Sequence, residues 1–541
     1  MADEGQDSTP AETGQRWAKD QAKKGCVVGG SADLPDPAAV AYLQTRGILH
    51  RVLGGAAWVL RNPERHGEES AVLGAYWALI DELLQVYAPA AIDRTSAVRL
   101  WLGDVTPPNT LYVRQGKNAT ERVYRLPGNL EVRVLATPKG ITPGAIGLVT
   151  RSRQDQVRVG ELEVPVTKPA WVLMAMTLDE LHEEMPRVAS WIKHLTVPTN
   201  QIDEVYRAVS RPYVAARMAR IAEGAGNVNL AERLEAAIQA HSIKPLNRAR
   251  VTIPETPMPE SVRRAPARQA PWRTRFEDQL ARGLEQILVL NPPMSPRLTR
   301  EELRRFASEA KREDVYHSTT IEGYRVTPED LDALFSGVSS DGTTREEVER
   351  RMALRGYANA FDRILDLIPA TAGPWEWTTD RILDCYVDLW TPSVDAGIVE
   401  AHELRAFRPR PAYLQGSRYV PPPPEKVWDL LEGLRKFLHT TDMPGAARAA
   451  LGHWGLETVH PFPDGNGRVG RLLMNASLAA EGYPWLTIRA EGRGRYFAAL
   501  EKGQIDDDLT DWGAFFGEQL RRAVQEADKI RTSVGPSRAR E

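Results

Sequence analysis

Cysteine is nearly missing from this chain: 541 residues contain two, Cys26 and Cys385. That number and their separation exclude a disulfide framework and a cysteine-built zinc site. Long apolar runs are missing too. No stretch of 18 apolar residues offers a membrane-spanning helix, so no membrane partner is expected. Met1 to Ser31 lacks the apolar core of a secretory leader, and a cytoplasmic location is the expectation. An excess of one charge is also lacking: 69 Lys and Arg against 72 Asp and Glu give a net charge of −3. This argues against a broadly basic nucleic-acid binder, although a local patch would not register in the sum. Hydrophobic residues at 42% and charged residues at 26% are ordinary for globular proteins. The length is too great for one core and points to about three or four domains.

Met1 to Asp36 is rich in Gly, Ser, Asp and Lys with almost no apolar period, so disorder is expected over 1–36. Over 37–105, apolar residues recur at helical spacing, through Leu43, Val52, Trp77, Ile80 and Leu84. Gly47 and Gly54-Gly55 break the first part, and Ala56 to Leu60 reads as a short strand. Short helices followed by a small strand suit a winged helix-turn-helix, which would bring DNA in as a partner. Residues 106–250 read as a mixed domain, β-rich and then helical. Period-two runs at Leu111–Val113, Leu130–Val134, Val157–Val159 and Leu162–Val164 are separated by turn residues, and helical spacing resumes at Leu178. Arg207, Arg211, Arg217 and Arg220 read as a solvated helix face. Residues 251–272 carry five prolines among arginines and are expected to form a linker.

Residues 273–525 read as helical throughout, with 526–541 as a tail. Thr299 with Glu302 makes a capping box that opens a helix running towards Glu322, and Gly323 offers its stop. Thr327-Pro328 and Thr344 with Glu347 start two more. One interruption stands out. Phe407 to Val420 reads as a β-hairpin about Gln415-Gly416-Ser417, closed by Pro421 to Pro424, whose edge suits pairing with a partner's extended segment. The fold class expected is therefore multidomain: a mainly α-helical C-terminal core with a hairpin, preceded by a mixed α/β half.

The most informative stretch is His460-Pro461-Phe462-Pro463-Asp464-Gly465-Asn466-Gly467-Arg468-Val469-Gly470-Arg471. Helical sequence lies on both sides, with Pro461 ending the first helix near His460. Gly465 and Gly467 permit positive φ, so the amides of Gly465, Asn466 and Gly467 can converge at the second helix's N-terminus as an anion nest. Arg468 and Arg471 lie three apart on one helical face, within reach of one phosphate chain. Asp464 cannot bind a polyanion alone but can hold Mg²⁺ beside phosphates. His460, at the edge of the nest, can take a proton from an attacking hydroxyl.

The stretch His460 to Arg471 resembles the Fic signature, His-Pro-Phe-x-Asp/Glu-Gly-Asn-Gly-Arg-x-x-Arg, at every fixed position. The resemblance implies an all-helical core that transfers AMP from ATP to a Ser, Thr or Tyr hydroxyl of a target protein, with self-modification accompanying it. It makes His460 the general base, Asp464 the Mg²⁺ ligand, Gly465 to Gly467 the anion hole, and Arg468 and Arg471 the partners of the β- and γ-phosphates. Ser318-Thr319-Thr320-Ile321-Glu322-Gly323 resembles the family's inhibitory motif, which implies that Glu322 occupies Arg471 and that Ser318 belongs to the same device. The hairpin resembles the family's target-registering flap, giving Tyr413, Leu414, Gln415 and Gly416 that role. Tyr496-Phe497 within Gly492 to Leu500 is similar to the sequence that completes the nucleotide site. Thr45 to Val52 and Ala88 to Gly103 resemble the N-terminal part of AbiEi-type antitoxins. Two further readings are open: removal of AMP or use of another nucleotide or phosphorylated donor, and a DNA-binding, antitoxin-like regulator whose Fic half senses nucleotide. Intact His460 and Asp464 argue against the dead site that the regulator would tolerate.

Overall fold

Thr9 and Glu12 close a capping box where disorder was expected: Thr9 N–H donates to Glu12 Oε2 (2.9 Å) and Glu12 N–H donates back to Thr9 Oγ1 (3.3 Å). The helix it opens, Pro10–Lys24, lays Trp17 and Ala18 against a small core of Val28, Leu43, Leu49 and Leu60. Two well-placed apolar residues and a cap thus order a segment whose composition is polar. The computed structural model describes residues 9–24, 27–29, 34–60, 68–116, 120–147, 156–241, 246–254, 256–266, 268–336, 344–369 and 371–534. Cys26 lies outside them. The chain divides into two units, Met1–Arg275 with Tyr413–Val420, and Phe276–Ala412 with Pro421–Glu541.

In the first unit, strands β1 (Val27–Gly29), β2 (Leu49–Val52) and β3 (Ala57–Leu60) form an antiparallel sheet in the order β1-β3-β2. Between β1 and β2 the described residues carry one helix, Pro37–Thr45. The two consecutive helices of a helix-turn-helix are not found there among the described residues, so the winged helix-turn-helix is not confirmed. The glycines that break the apolar period are the reason: Gly47, Gly54 and Gly55 all have positive φ and turn the chain into a hairpin.

Strands β4 (Ala90–Ile92), β5 (Thr110–Gln115), β6 (Arg122–Leu126) and β7 (Leu130–Leu135) form a second sheet in the order β4-β5-β7-β6, with β5 and β7 parallel. A hairpin of β8 (Gln156–Val159) and β9 (Leu162–Pro165) follows, then five helices from Pro169 to His241. Asp93 is fully buried, but it pairs with Arg114 (2.8 Å) and accepts from Thr167 Oγ1 (2.8 Å) and Trp171 Nε1 (3.0 Å), so its role is to pin elements together. The Pro/Arg-rich stretch 251–272 is not a free linker. Val251 and Val262 are buried in this unit's core, and the helix Pro271–Val289 begins inside the stretch.

The second unit is helical among its described residues. Five helices position the site: α1 (Arg300–Ile321), α2 (Thr379–Asp395), α3 (Gly445–Val459), α4 (Asn466–Ala480) and α5 (Arg493–Asp506). All fifteen residues of α3 are buried, which makes it the axis of the unit. Its small residues allow this: a Cβ on Gly455 would meet Leu434 Cδ1 at 2.5 Å. The final helix, Thr510–Val534, runs through much of the expected tail. Among the described residues no helix is long and apolar enough to cross a membrane.

The expected hairpin does not pair. Residues 407–414 and 417–420 contain no strand, although Ser417 N–H does close a turn on Leu414 O (3.1 Å). Pro409 and Pro411 have no amide to donate, and the amides near the two ends of the segment are engaged elsewhere. Arg408 N–H donates to Pro461 O (2.8 Å), and Val420 N–H donates to Thr106 Oγ1 (3.1 Å).

Candidate active site

Helix α3 ends at Val459 because His460 adopts the left-handed conformation (φ 50°), its N–H closing on Leu456 O at 2.7 Å. This conformation is uncommon for a residue with a Cβ and is held from outside. The Arg408 guanidinium donates from Nε to His460 O (2.7 Å) and from Nη2 to Val459 O (3.4 Å) and Pro422 O. Asn466 clamps the loop from within. Phe462 N–H donates to its Oδ1 and its Nδ2 donates to Phe462 O, both at 2.9 Å. The Phe462 ring stacks on Tyr386 of α2, with centroids 3.8 Å apart.

Gly465 takes φ 84° as the residue capping α4 and lets the loop enter the helix, whose first amides have no partner within the helix itself. Gly467 is different from the expectation. It has ordinary helical φ, and what its missing side chain supplies is space, since a Cβ there would overlap Glu322 Oε1. Asp464 is 58% exposed at the loop's tip, its Oδ1 accepting from Gly465 N–H (2.6 Å) and its Oδ2 near Arg468 Nη2 (3.3 Å).

The two arginines of α4 are buried but differently occupied. Arg468 lies against the rings of Trp390 (4.9 Å) and Tyr324 (5.6 Å), and its Nε and Nη1 have no hydrogen-bond partner among the described residues. Arg471 is crowded. Its Nε donates to Ser318 Oγ (2.6 Å), its Nη2 to Ser318 O (3.0 Å) and Glu322 Oε1 (2.6 Å), and its Nη1 reaches Tyr496 OH (3.5 Å). Glu322 is in place because α1 ends on it and Gly323, at φ 97°, turns the chain away. Burial works to raise the Glu322 pKa, but Arg471 and then Arg468 outweigh it and hold the carboxyl below its ordinary value. The carboxylate is ionised and paired.

Burial first, and the Arg408 charge second, push the His460 pKa down to about 4, so its imidazole is neutral over the physiological range. The site therefore joins a neutral base, a helix N-terminus, one buried guanidinium with unpartnered nitrogens, and a second held by a carboxylate. A cation fits it in one way. Among the described residues no group of three or more His, Cys, Asp or Glu side chains could hold a metal unaided. The exposed Asp464 carboxylate offers hard oxygen beside a helix N-terminus, a donor set that suits Mg²⁺ shared with a phosphate group.

The structure thus brings together His460, Asp464, Gly465, Asn466, Gly467, Arg468, Arg471, Ser318 and Glu322. Tyr413, Leu414, Gln415 and Gly416 are grouped instead with the first unit. Sequence reasoning missed Arg408, which it placed in the flap, and also His453, Glu457, Tyr324 and Trp390. The i, i+4, i+7 spacing of His453, Glu457 and His460 was a usable sign that α3 carries polar groups on one face.

Residues 379–478 match the model of the Fic/DOC family. The chain is 30% identical over 217 residues to a protein adenylyltransferase Fic of Nematostella vectensis, covering 38% of this chain and 46% of that one. It is 31% identical over 216 residues to that of Drosophila ananassae, covering 38% and 39%. The matches thus span less than half the length of these curated relatives. Among solved structures, Fic-1 (aa134–508) from C. elegans is similar with a TM-score of 0.36 at 20% identity, covering 65% of this chain and 98% of that one. The segment that matches the Fic/DOC family model thus runs from α2 through the loop that follows His460 and into α4.

Proposed function

We propose that this chain is a protein adenylyltransferase, moving AMP from ATP to a Ser, Thr or Tyr hydroxyl of a protein, and that Glu322 holds it off. The observation that carries the reading is the Arg471–Glu322 pair beside the neutral His460. A guanidinium suited to a terminal phosphate is already bonded to a carboxylate, which also puts negative charge where a polyanion must lie. The curated relatives named protein adenylyltransferase Fic support the reaction class.

In this reading the triphosphate lies over the α4 N-terminus, with Arg468 on it. His460 accepts the hydroxyl proton as that oxygen bonds to the α-phosphorus. The α–β bridging P–O bond breaks and pyrophosphate leaves. Asp464 would hold Mg²⁺, which supplies charge neutralisation to the phosphates when bound. Gly465 to Gly467 orient the phosphates through the helix amides and dipole. We assign target holding to Tyr413, Leu414, Gln415 and Gly416 on their chain position. A Leu414→Pro change should then lower labelling of a protein target more than nucleotide binding, and equal losses would make the segment a connector.

The deciding experiment compares incorporation from α-labelled ATP, into the chain itself and into lysate proteins, by wild type, Glu322→Gly and Glu322→Gly/His460→Ala. Labelling should rise at least tenfold in the single variant and vanish in the double. A folded single variant with no rise would remove the inhibitory role, and a double variant that still labels would remove His460 as the base.

A further inference from the structure

Glu457 is a buried carboxyl that the reaction above does not use. It sits on α3 one turn before His460, is 7% exposed, and its Oε1 has no hydrogen-bond partner among the described residues. Room for it comes from α4, where a Cβ on Gly470 would lie 2.7 Å from Glu457 Oε1. Gly467, three residues earlier on the same helical face, makes the equivalent notch for Glu322 Oε1. Helix α4 thus has two glycine notches, each receiving a carboxyl oxygen from a different helix, with Arg471 on the same turn. Arg471 is bonded only to the first of these carboxyls.

Two carboxylates so near one guanidinium cannot both ionise cheaply in a buried setting. Glu322 has the hydrogen bond and keeps the charge. Burial first, and then the Glu322 charge, push the Glu457 pKa up to about 8, while Arg471 opposes them. The other groups around it are Tyr496 of α5, His453 of its own helix and His460 just past that helix's end, with Arg468 beyond Glu322. His453 is neutral, its pKa pushed down to about 3 by burial, and burial also raises that of the Tyr496 phenol, so neither can compensate Arg471.

We propose that Glu457 is a reserve counter-charge to Arg471: it is protonated while Glu322 holds the arginine, and it ionises when Glu322 withdraws, so that a polyanion entering the opened site must first return a proton to it. Removing Glu322 takes away one of the two causes that oppose ionisation, burial being the other and the larger, and leaves a buried guanidinium in need of an anion. Release of the Glu322 brake proposed above therefore uncovers a second, weaker one controlled by protons. The inference rests on the reading that Arg471 receives the nucleotide's phosphates.

The test is titration calorimetry of Mg²⁺ with α,β-methylene-ATP, which cannot transfer AMP, at several pH values in buffers of different ionisation enthalpy. In Glu322→Gly, binding near pH 7 should take up a larger fraction of a proton than in wild type, and affinity should fall with rising pH through the window below 8, by no more than about tenfold per pH unit. Glu322→Gly/Glu457→Gln should take up none and lose that dependence; the nucleotide's own titration is common to both. Wild type, with Glu457 already protonated near pH 7, should also take up none. Equal proton uptake and parallel pH profiles in the two variants would overturn the inference, as would uptake by wild type equal to that of Glu322→Gly. If Glu322→Gly binds no more tightly than wild type at any pH, the inhibitory reading of Glu322 fails instead. Thermal melts of Glu457→Gln give a second reading that needs no nucleotide. A carboxyl with a raised folded pKa contributes stability below its unfolded pKa and loses it as pH rises through the folded one. Wild type should therefore lose stability towards pH 8 relative to Glu457→Gln, and identical melts across pH 6–9 would overturn the inference.

Discussion

Arg471 is the side chain on which the proposed activity and the proposed restraint meet. It is 2% exposed, and its ion pair with Glu322 sits among bonds to Ser318 and Tyr496. Lysine could keep the charge but not the fork, so Arg471→Lys should loosen Ser318 and Glu322 together. His460 gives a sharper prediction. With its pKa pushed to about 4, its base form is already full at pH 6. In Glu322→Gly, kcat/KM, which reports the free enzyme, should show no His460 limb between pH 6.5 and 5. An acid limb centred near 6.5 would mean a solvated imidazole. Asp464 is exposed and outside the core, so Asp464→Ala should leave the melting temperature nearly unchanged while weakening Mg²⁺-dependent nucleotide binding. Unaltered Mg²⁺ dependence would assign the carboxylate another task.

At the scale of elements, the turn between α3 and α4 is built chiefly by residues that do no chemistry. Asn466→Ala would strip the partners from the N–H and C=O of Phe462, both inside a buried loop. A loss of about 1–3 kcal/mol for each group left unpaired is expected, read as a lower melting temperature together with reduced transfer. Full activity would show that the turn holds without its clamp. At the far end of the helix that leads to Glu322, Thr299 and Glu302 close a capping box on α1. Thr299→Ala should cost about 1 kcal/mol of stability without changing basal labelling, because the frayed turn lies far along the helix from Glu322.

These elements also explain what was legible beforehand. The capping boxes at Thr299 and Thr344, the helices on either side of His460 and the site residues of the motif could all be read locally, because cap, period and turn chemistry are local. The loop 407–420 could not, because its fate depends on Thr106 and Pro461, far off in sequence. The spacing of Glu457 with His453 and His460 was legible, but the seat of its carboxyl was not, because that depends on Gly470 of another helix.

For the whole molecule, two units with separate cores should unfold as two calorimetric transitions. Mg²⁺ with nucleotide, bound by Glu322→Gly, should raise only the transition of the unit containing His460, since a ligand stabilises the fold that binds it. A single transition, or an equal shift of both, would show one cooperative body. The chain passes between its units three times, after Arg275, after Ala412 and after Val420. A protease cutting once near Arg275 would therefore nick the protein without freeing either half, which would remain tethered through 413–420. The same threading bears on inheritance. A recombination event at the boundary near Arg275 would hand the second unit to a new N-terminal partner together with eight residues grouped with the old one. Thr106 and the stretch ending at Val420 would therefore have to be exchanged together.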